Sequence, residues 1–171
     1  AVCMLFDAGG ERVVRGIWER LEQQGVRSLL SHTHGRHHPH VSYVVLRSFD
    51  QEAVRDAVEA LPDAGPFTLS FHGLVVFPRG RVCAVPAVTS GVVRRQEQVE
   101  QAARATGADV HKHYQRGEWV PHLSLATRAN GDALAVVAKA VTDALPITLT
   151  VNRAACIDSS TGQLWPLSIV P

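Results

Sequence analysis

Two stretches of the sequence share one pattern, in which a proline and a histidine precede an apolar residue, a serine and further apolar residues. They are residues 39–46 (PHVSYVVL) and residues 121–126 (PHLSLA). A proline at the start fits the first residue of a β-strand, in which every second side chain points to the same face. Each histidine is therefore predicted to share a strand face with the serine two residues later.

The elements around the two motifs follow the same order in both halves of the chain. Apolar periodicity and stop signals predict the first half as strand 2–6, a Gly9-Gly10 turn, helix 11–24, the first motif strand, a helix capped by Asp50 and stopped at Pro62, and strand 67–77 with a bend at His72-Gly73. The second half is predicted as strand 82–88, a helix capped by Thr89 or Ser90 and running to 106, the second motif strand, helix 132–145, strand 147–155 and a last strand near 164–169.

Moving the first-half elements forward by the interval between the two motif histidines places them on their counterparts, which indicates a repeat of pattern. Strand 82–88 opens the second half, and its own counterpart lies near 164–169. The predicted fold is α+β, with two pseudo-symmetric lobes whose antiparallel sheets face a central cleft and whose helices lie outside. No stretch has the composition of a flexible linker, so residues 1–171 are predicted to form a single two-lobed domain in which His40 and His122 are equivalent.

Composition narrows the class of protein. The chain has 171 residues, 46% of them hydrophobic, and a net charge of +1, which gives no broad basic face, so any RNA contact should be local. The odd number of cysteines, all in strand-like runs, predicts buried reduced thiols at Cys3, Cys83 and Cys156. No apolar run is long enough to span a bilayer and no leader pattern precedes the first strand, so a soluble cytoplasmic protein is expected.

A polar loop before the first motif contains four of the nine histidines. The side chains concerned are His32, His34, His37 and His38. Closely spaced histidines can bind zinc or another divalent ion, which leaves a metal-dependent hydrolase as one alternative. No carboxylate or cysteine lies within this loop to complete a site, so a solvated loop is favoured and no metal or other cofactor is expected.

The paired motifs and the repeated α+β lobe resemble the 2H phosphoesterase superfamily, and in particular its RNA 2′,5′-ligase and 2′,3′-cyclic phosphodiesterase branch. The diagnostic residues are His40–Tyr43 and His122–Leu125. The family usually has threonine where this chain has Ser42 and Ser124, and serine keeps the hydroxyl while losing only a methyl group. Tyr43 stands where a smaller aliphatic residue is common in the family.

The resemblance implies a metal-independent phosphodiesterase that acts on 2′,3′-cyclic phosphates or 2′,5′-phosphodiesters of RNA ends or small nucleotides. It implies that His40 and His122 are the acid and the base, and that Ser42 and Ser124 bind phosphoryl oxygens. The chemistry of the residues agrees, because imidazoles titrate near neutral pH and a charged imidazole with two hydroxyls stabilises negative charge on a phosphate. The sequence chooses neither between hydrolysis and ligation nor between the histidines as base and acid.

Three aromatic residues near the motifs are candidates for contact with the substrate, because an aromatic ring can stack on a base. They are Tyr43, Tyr114 and Trp119, for which packing roles are an equal alternative. His72 and Arg128 are cleft candidates by position alone. A further alternative is a non-catalytic RNA-binding module, although the presence of both histidines and both hydroxyls argues against it. The protein is expected to be a monomer that makes no membrane contact.

Overall fold

The computed structural model of the protein describes residues 1–171 as seven β-strands, four α-helices and one short 3-10 helix. The strands are β1 (Val2–Phe6), β2 (His40–Val44), β3 (Phe67–Phe77), β4 (Arg81–Pro86), β5 (Leu123–Ala126), β6 (Ile147–Ile157) and β7 (Leu164–Pro166). The helices are α1 (Ala8–Gln23), α2 (Gln51–Glu59), α3 (Ser90–Ala105) and α4 (Asp132–Thr142), and the 3-10 helix spans Lys112–Tyr114.

The strands form one antiparallel sheet that closes on itself. Their order is β1-β2-β5-β4-β3-β6, β6 pairs back to β1, and β7 pairs with β6. The α+β class with antiparallel pairing is as predicted, but the two lobes do not carry separate sheets. The motif strands β2 and β5 are direct neighbours that meet where Val41 opposes Leu123, instead of facing each other across a gap. Closure leaves none of the six ring strands with a fully unpaired edge.

The helices pack in two pairs on the sheet. α1 contacts α4 and also β1 and β5, whereas α3 contacts α2 and β2. Exchanging β1 with β4, β2 with β5 and β3 with β6 leaves the ring order unchanged, and exchanging α1 with α3 and α2 with α4 leaves the helix pairs unchanged. The main core lies between helices and sheet, where Trp18 is only 1% exposed. None of the helices combines the length and apolar character needed to cross a membrane.

The start of α1 differs from the prediction. Gly9 and Gly10 lie inside the helix and do not form a turn, because the Asp7 side chain caps the helix by accepting a hydrogen bond of 2.7 Å from the Gly10 amide. A Cβ on Gly10 would lie 3.1 Å from the Cβ of Phe6. Glycine therefore allows the helix to begin close against the sheet, a tertiary requirement that the local sequence does not reveal.

Other boundaries follow the local signals closely. Asp50 and Thr89 cap α2 and α3 as predicted. The register of β3 against β4 shifts between Phe71 and Gly73, at the predicted bend. β4 and α4 end earlier than predicted, at Pro86 and Thr142.

Candidate active site

The two motifs bring their four polar side chains to one face of the sheet. The register that pairs Val41 with Leu123 places His40 opposite Ser124 and Ser42 opposite His122. Val41 and Leu123 themselves belong to the main core on the other face. Residues opposite each other in an antiparallel pair share a face, and diagonal neighbours such as the two histidines typically lie about 7–8 Å apart, with their Cβ atoms somewhat closer. The arrangement can therefore present two imidazoles and two hydroxyls to one small group.

Both histidines are held by the same backbone hydrogen bond. Nδ1 of His40 lies 2.6 Å from the carbonyl oxygen of His38, and Nδ1 of His122 lies 2.8 Å from that of Val120. A carbonyl can only accept, so Nδ1 carries the hydrogen and donates in each case. Nε2 is left as the nitrogen that can take up or release a proton.

A cysteine thiol lies beside each motif serine. Sγ of Cys3 is 3.6 Å from Oγ of Ser42, and Sγ of Cys83 is 3.8 Å from Oγ of Ser124. Both thiols are buried and free, as predicted, and burial raises the pKa of each to about 11. A thiol that stays protonated can donate weakly to the hydroxyl oxygen. The hydroxyl hydrogen can then point outward to a ligand.

Two tryptophans hold the backbone of the motif serines. Nε1 of Trp18 donates to the carbonyl of Ser124 at 3.0 Å, and Nε1 of Trp119 donates to the carbonyl of Ser42 at 3.0 Å. Each indole thus comes from one half of the chain and holds the motif of the other half. Trp119, a candidate for base stacking from sequence, has its polar atom committed to this support.

Aromatic rings and one arginine surround His122. The ring centroid of Phe77 lies 4.8 Å and that of Tyr114 lies 6.4 Å from the His122 centroid. Burial raises the pKa of the Tyr114 hydroxyl to about 12, and Ser42 is near enough to oppose that shift. Burial lowers the pKa of His122, the hydrogen bond to its carbonyl partner raises it, and the charge of Arg81 lowers it further. Phe77 and Arg81 were not predicted from the sequence. The one available signal is that Arg81 and Cys83, two residues apart in β4, point to the same face.

His40 has different neighbours. Its strand partner is Leu5, and a small buried cluster of aliphatic side chains and one thiol lies on this side of the sheet. The members of that cluster are Cys3, Leu5, Ala155 and Ile157. Burial lowers the pKa of His40, the hydrogen bond to the His38 carbonyl raises it, and the nearby His122 lowers it. Both motif imidazoles are therefore biased toward the neutral form in the free protein.

The histidine-rich loop forms a stack of its own. The ring centroids of His34 and His37 are 4.2 Å apart, and those of His32 and His37 are 5.5 Å apart. Burial and the neighbouring imidazoles lower the pKa of His37 to about 4. No three histidine, cysteine, aspartate or glutamate side chains are grouped so that they could hold a metal ion. The metal-dependent alternative thus has no ligand set in this loop.

Tyr43 lies away from the candidate site. It occupies the strand position between Ser42 and Val44, so its side chain enters the core on the opposite face and is 0% exposed. Its hydroxyl donates to the carbonyl of Pro171 at 2.9 Å. The candidate contact between Tyr43 and a substrate is therefore withdrawn, whereas Tyr114 lies beside the motifs.

Comparison with known proteins supplies a family and several similar folds. The family model described as the 2′-5′ RNA ligase superfamily matches residues 11–163. A phosphoesterase crystal structure is 14% identical with a TM-score of 0.54, over 98% of this chain and 93% of that one. E. coli LigT complexed with NADP+ is 14% identical with a TM-score of 0.56 over the same shares, and Kluyveromyces marxianus Usb1 is 13% identical with a TM-score of 0.53, over 97% and 95%. No curated protein matches significantly. Identities this low support a shared fold alone.

Proposed function

The chain belongs to the 2′-5′ RNA ligase superfamily, the 2H phosphoesterases, and on that premise we propose that it is a metal-independent phosphodiesterase acting on 2′,3′-cyclic phosphates or 2′,5′-phosphodiesters. The substrates would be RNA ends or small nucleotides. The observation that carries the proposal is the pair of imidazoles on neighbouring strands, each with Nδ1 committed to a backbone carbonyl.

The proposed reaction needs one neutral and one charged imidazole. Nε2 of the neutral histidine takes a proton from water while the water oxygen forms a bond to phosphorus. The bond from phosphorus to the departing ribose oxygen breaks, and the charged histidine gives its proton to that oxygen. The product is a phosphate monoester or a shortened strand, and the protonation states of His40 and His122 are exchanged.

Charge on the phosphate is the main barrier that the remaining groups would lower. The hydroxyls of Ser42 and Ser124 can each donate a hydrogen bond to a phosphoryl oxygen, and Arg81 adds a positive charge close to His122. A bound phosphate anion favours the charged form of an imidazole and so opposes the lowering of pKa by burial. Substrate binding would thus help to create the acid that the reaction needs.

The test is a panel of 2′,3′-cyclic mononucleotides and 2′,5′-linked dinucleotides assayed in a strong chelator, with the position of the product phosphate determined. We expect turnover that chelator does not change and a single product isomer. Addition of an RNA with a free 5′-hydroxyl shows whether a ribose hydroxyl can replace water. Turnover that appears only when a divalent metal is restored would contradict the proposal. So would turnover that is unchanged in both His40→Ala and His122→Ala.

A further inference from the structure

Three arginines lie on separate segments whose backbones meet around the end of β5. We call them the arginine cluster: Arg27, Arg81 and Arg128. The amide of Thr127 donates to the carbonyl of Arg27 at 2.8 Å, and Ser28 forms an isolated β-bridge with Ala126. The segment after α1 is thus fixed alongside the residues that immediately precede Arg128.

A tight turn brings Arg81 to the same place. The amide of Ala129 donates to the carbonyl of Gly80 at 2.9 Å. A Cβ on Gly80 would lie 2.7 Å from Oδ1 of Asn130, and Gly80 has a φ of +67°, so only glycine allows this approach. Arg128 has a φ of +57°, a conformation that is costly for a residue with a side chain. The backbone therefore holds the Arg81 and Arg128 segments in contact at some conformational cost.

The three guanidinium groups have no protein partners. None of them takes part in an ion pair within 4.0 Å or in a side-chain hydrogen bond, and all three residues are exposed. Glu22, the acid that reaches Ser28, accepts from the Ser28 amide and hydroxyl at 2.8 and 2.9 Å and from the Ser31 hydroxyl at 2.6 Å. The positive charge of the cluster therefore stays available to a ligand.

The cluster adjoins both the histidine-rich loop and the candidate active site. Burial lowers the pKa of His32, and the charges of Arg27, Arg81 and Arg128 lower it further, so all three lie near this ring. Arg81 also lowers the pKa of His122. Because the net charge of the chain is only +1, this local cluster and not a general basic surface would attract an anion.

We propose that the arginine cluster is a second phosphate subsite, which binds the phosphate on the 5′ side of the nucleoside that carries the scissile phosphate. Guanidinium groups match phosphate oxygens in a planar, two-point contact, and His32 can donate to the same group. The inference rests on the proposed function and makes it narrower. The preferred substrate has two phosphates, as at the end of an RNA strand, and a lone cyclic mononucleotide is a poor substrate.

Three substrates show whether a second phosphate is recognised, and whether it must be part of a longer strand. They are a nucleoside 2′,3′-cyclic phosphate, the same compound with a 5′-phosphate, and a dinucleotide that ends in the cyclic phosphate. We expect the 5′-phosphate to raise kcat/KM, and Arg27→Gln or Arg128→Gln to reduce that gain by about two- to fivefold each, as for an exposed charge contact. The gain should shrink as the salt concentration rises, because salt screens exposed charges. It should depend less on salt in the variant that carries both Arg27→Gln and Arg128→Gln. Arg94→Gln, an exposed arginine on α3, is the matched control and should leave the gain unchanged.

Equilibrium binding tests the subsite without turnover. A nucleoside 3′,5′-bisphosphate should bind more tightly than the 3′-monophosphate, and the difference should shrink in Arg27→Gln and Arg128→Gln. The subsite would be overturned if both ligands bound with equal affinity, or if the arginine variants lost equal affinity for both. It would also be overturned if only the dinucleotide, and not the 5′-phosphorylated mononucleotide, had a higher kcat/KM. Absence of turnover on every substrate together with a retained bisphosphate preference would instead count against the proposed reaction alone.

Discussion

The two histidine motifs are alike in their backbone and unlike in their surroundings. In both, Nδ1 of the histidine donates to the carbonyl two residues earlier and a buried thiol lies beside the serine. His122, however, lies among the rings of Phe77 and Tyr114 and near Arg81, whereas His40 borders on an aliphatic cluster. The repeat therefore accounts for the two equivalent histidine–serine motifs. The different neighbours of His40 and His122 account for any difference in what binds beside each histidine. We expect the nucleotide base to lie on the His122 side.

The largest effect should come from removing either imidazole. His40→Ala and His122→Ala should each lower kcat/KM on a 2′,3′-cyclic nucleotide by about a hundred- to ten-thousand-fold, the usual contribution of a positioned acid or base. The double variant should be barely worse than the worse single variant, because the two groups act as a unit. The exposed His72, replaced by Ala, is the control. Near-full activity in one single variant would break the equivalence of the motifs.

Loss of a motif hydroxyl should have the next largest effect. Ser42→Ala and Ser124→Ala should each cost about 1.5–3 kcal/mol in kcat/KM, the value of a hydrogen bond to a charged group. Ser42 is 9% exposed and Ser124 is half-buried, so we expect the larger loss at Ser42. Thr variants keep the donor and should retain most activity, while Ser48→Ala should change nothing. Thr variants as poor as the Ala variants would argue against phosphate binding by these hydroxyls.

Arg81→Gln should distinguish His122 from His40, because it should move one limb of the pH profile of kcat/KM. The positive charge of Arg81 disfavours the imidazolium of His122, so its removal raises the pKa of His122. If the limb on the acid side of the kcat/KM profile moves to higher pH, His122 is the base, and if the alkaline limb moves up, His122 is the acid. Arg94→Gln should move neither limb. A profile that Arg81→Gln also leaves in place would show that the charge does not act on a catalytic group.

The smallest effect should come from the thiols. Cys3→Val and Cys83→Val remove the donor beside each serine at similar volume, and each should lower kcat/KM by about two- to tenfold. The loss should vanish when the partner serine is already Ala, which a purely structural defect would not do. Cys156→Val is the matched control, because Cys156 is also a buried free thiol, at 7% exposed, and hydrogen-bonds to neither serine. Additive losses in the double variants would remove the thiols from the proposed site.

The sequence predicted the elements better than their assembly. Strand 2–6 and strand 67–77 are confirmed to the residue, because apolar runs and turn signals act over a few positions. The separate sheets facing a cleft are wrong, because the pairing of β1 with β6 joins segments far apart in the chain. No local pattern encodes which of two strand edges a distant strand will use.

The geometry of the candidate site could be predicted where its residues lie in the motifs. Strand alternation predicts that the histidine and the serine of each motif share a face. The register of β2 against β5 then places both motifs on the same face. Phe77, Arg81 and the two thiols come from β1, β3 and β4, and their approach depends on cross-strand pairing that the sequence does not specify. The prediction for Tyr43 is wrong because its neighbours in the strand, Ser42 and Val44, point to the opposite face from Tyr43, so its ring enters the core.

The closed ring of strands also limits the order in which the chain can fold. β1 pairs with β6, a strand that is synthesised near the opposite end of the sequence. Contacts between such distant segments are slow to form, because a long loop must close before they contribute any stability. Until β6 is available, β1 and β3 each expose an unsatisfied edge to which another nascent chain can add. The time that passes before β6 pairs with β1 and β3 therefore sets the period during which the nascent chain is prone to aggregation.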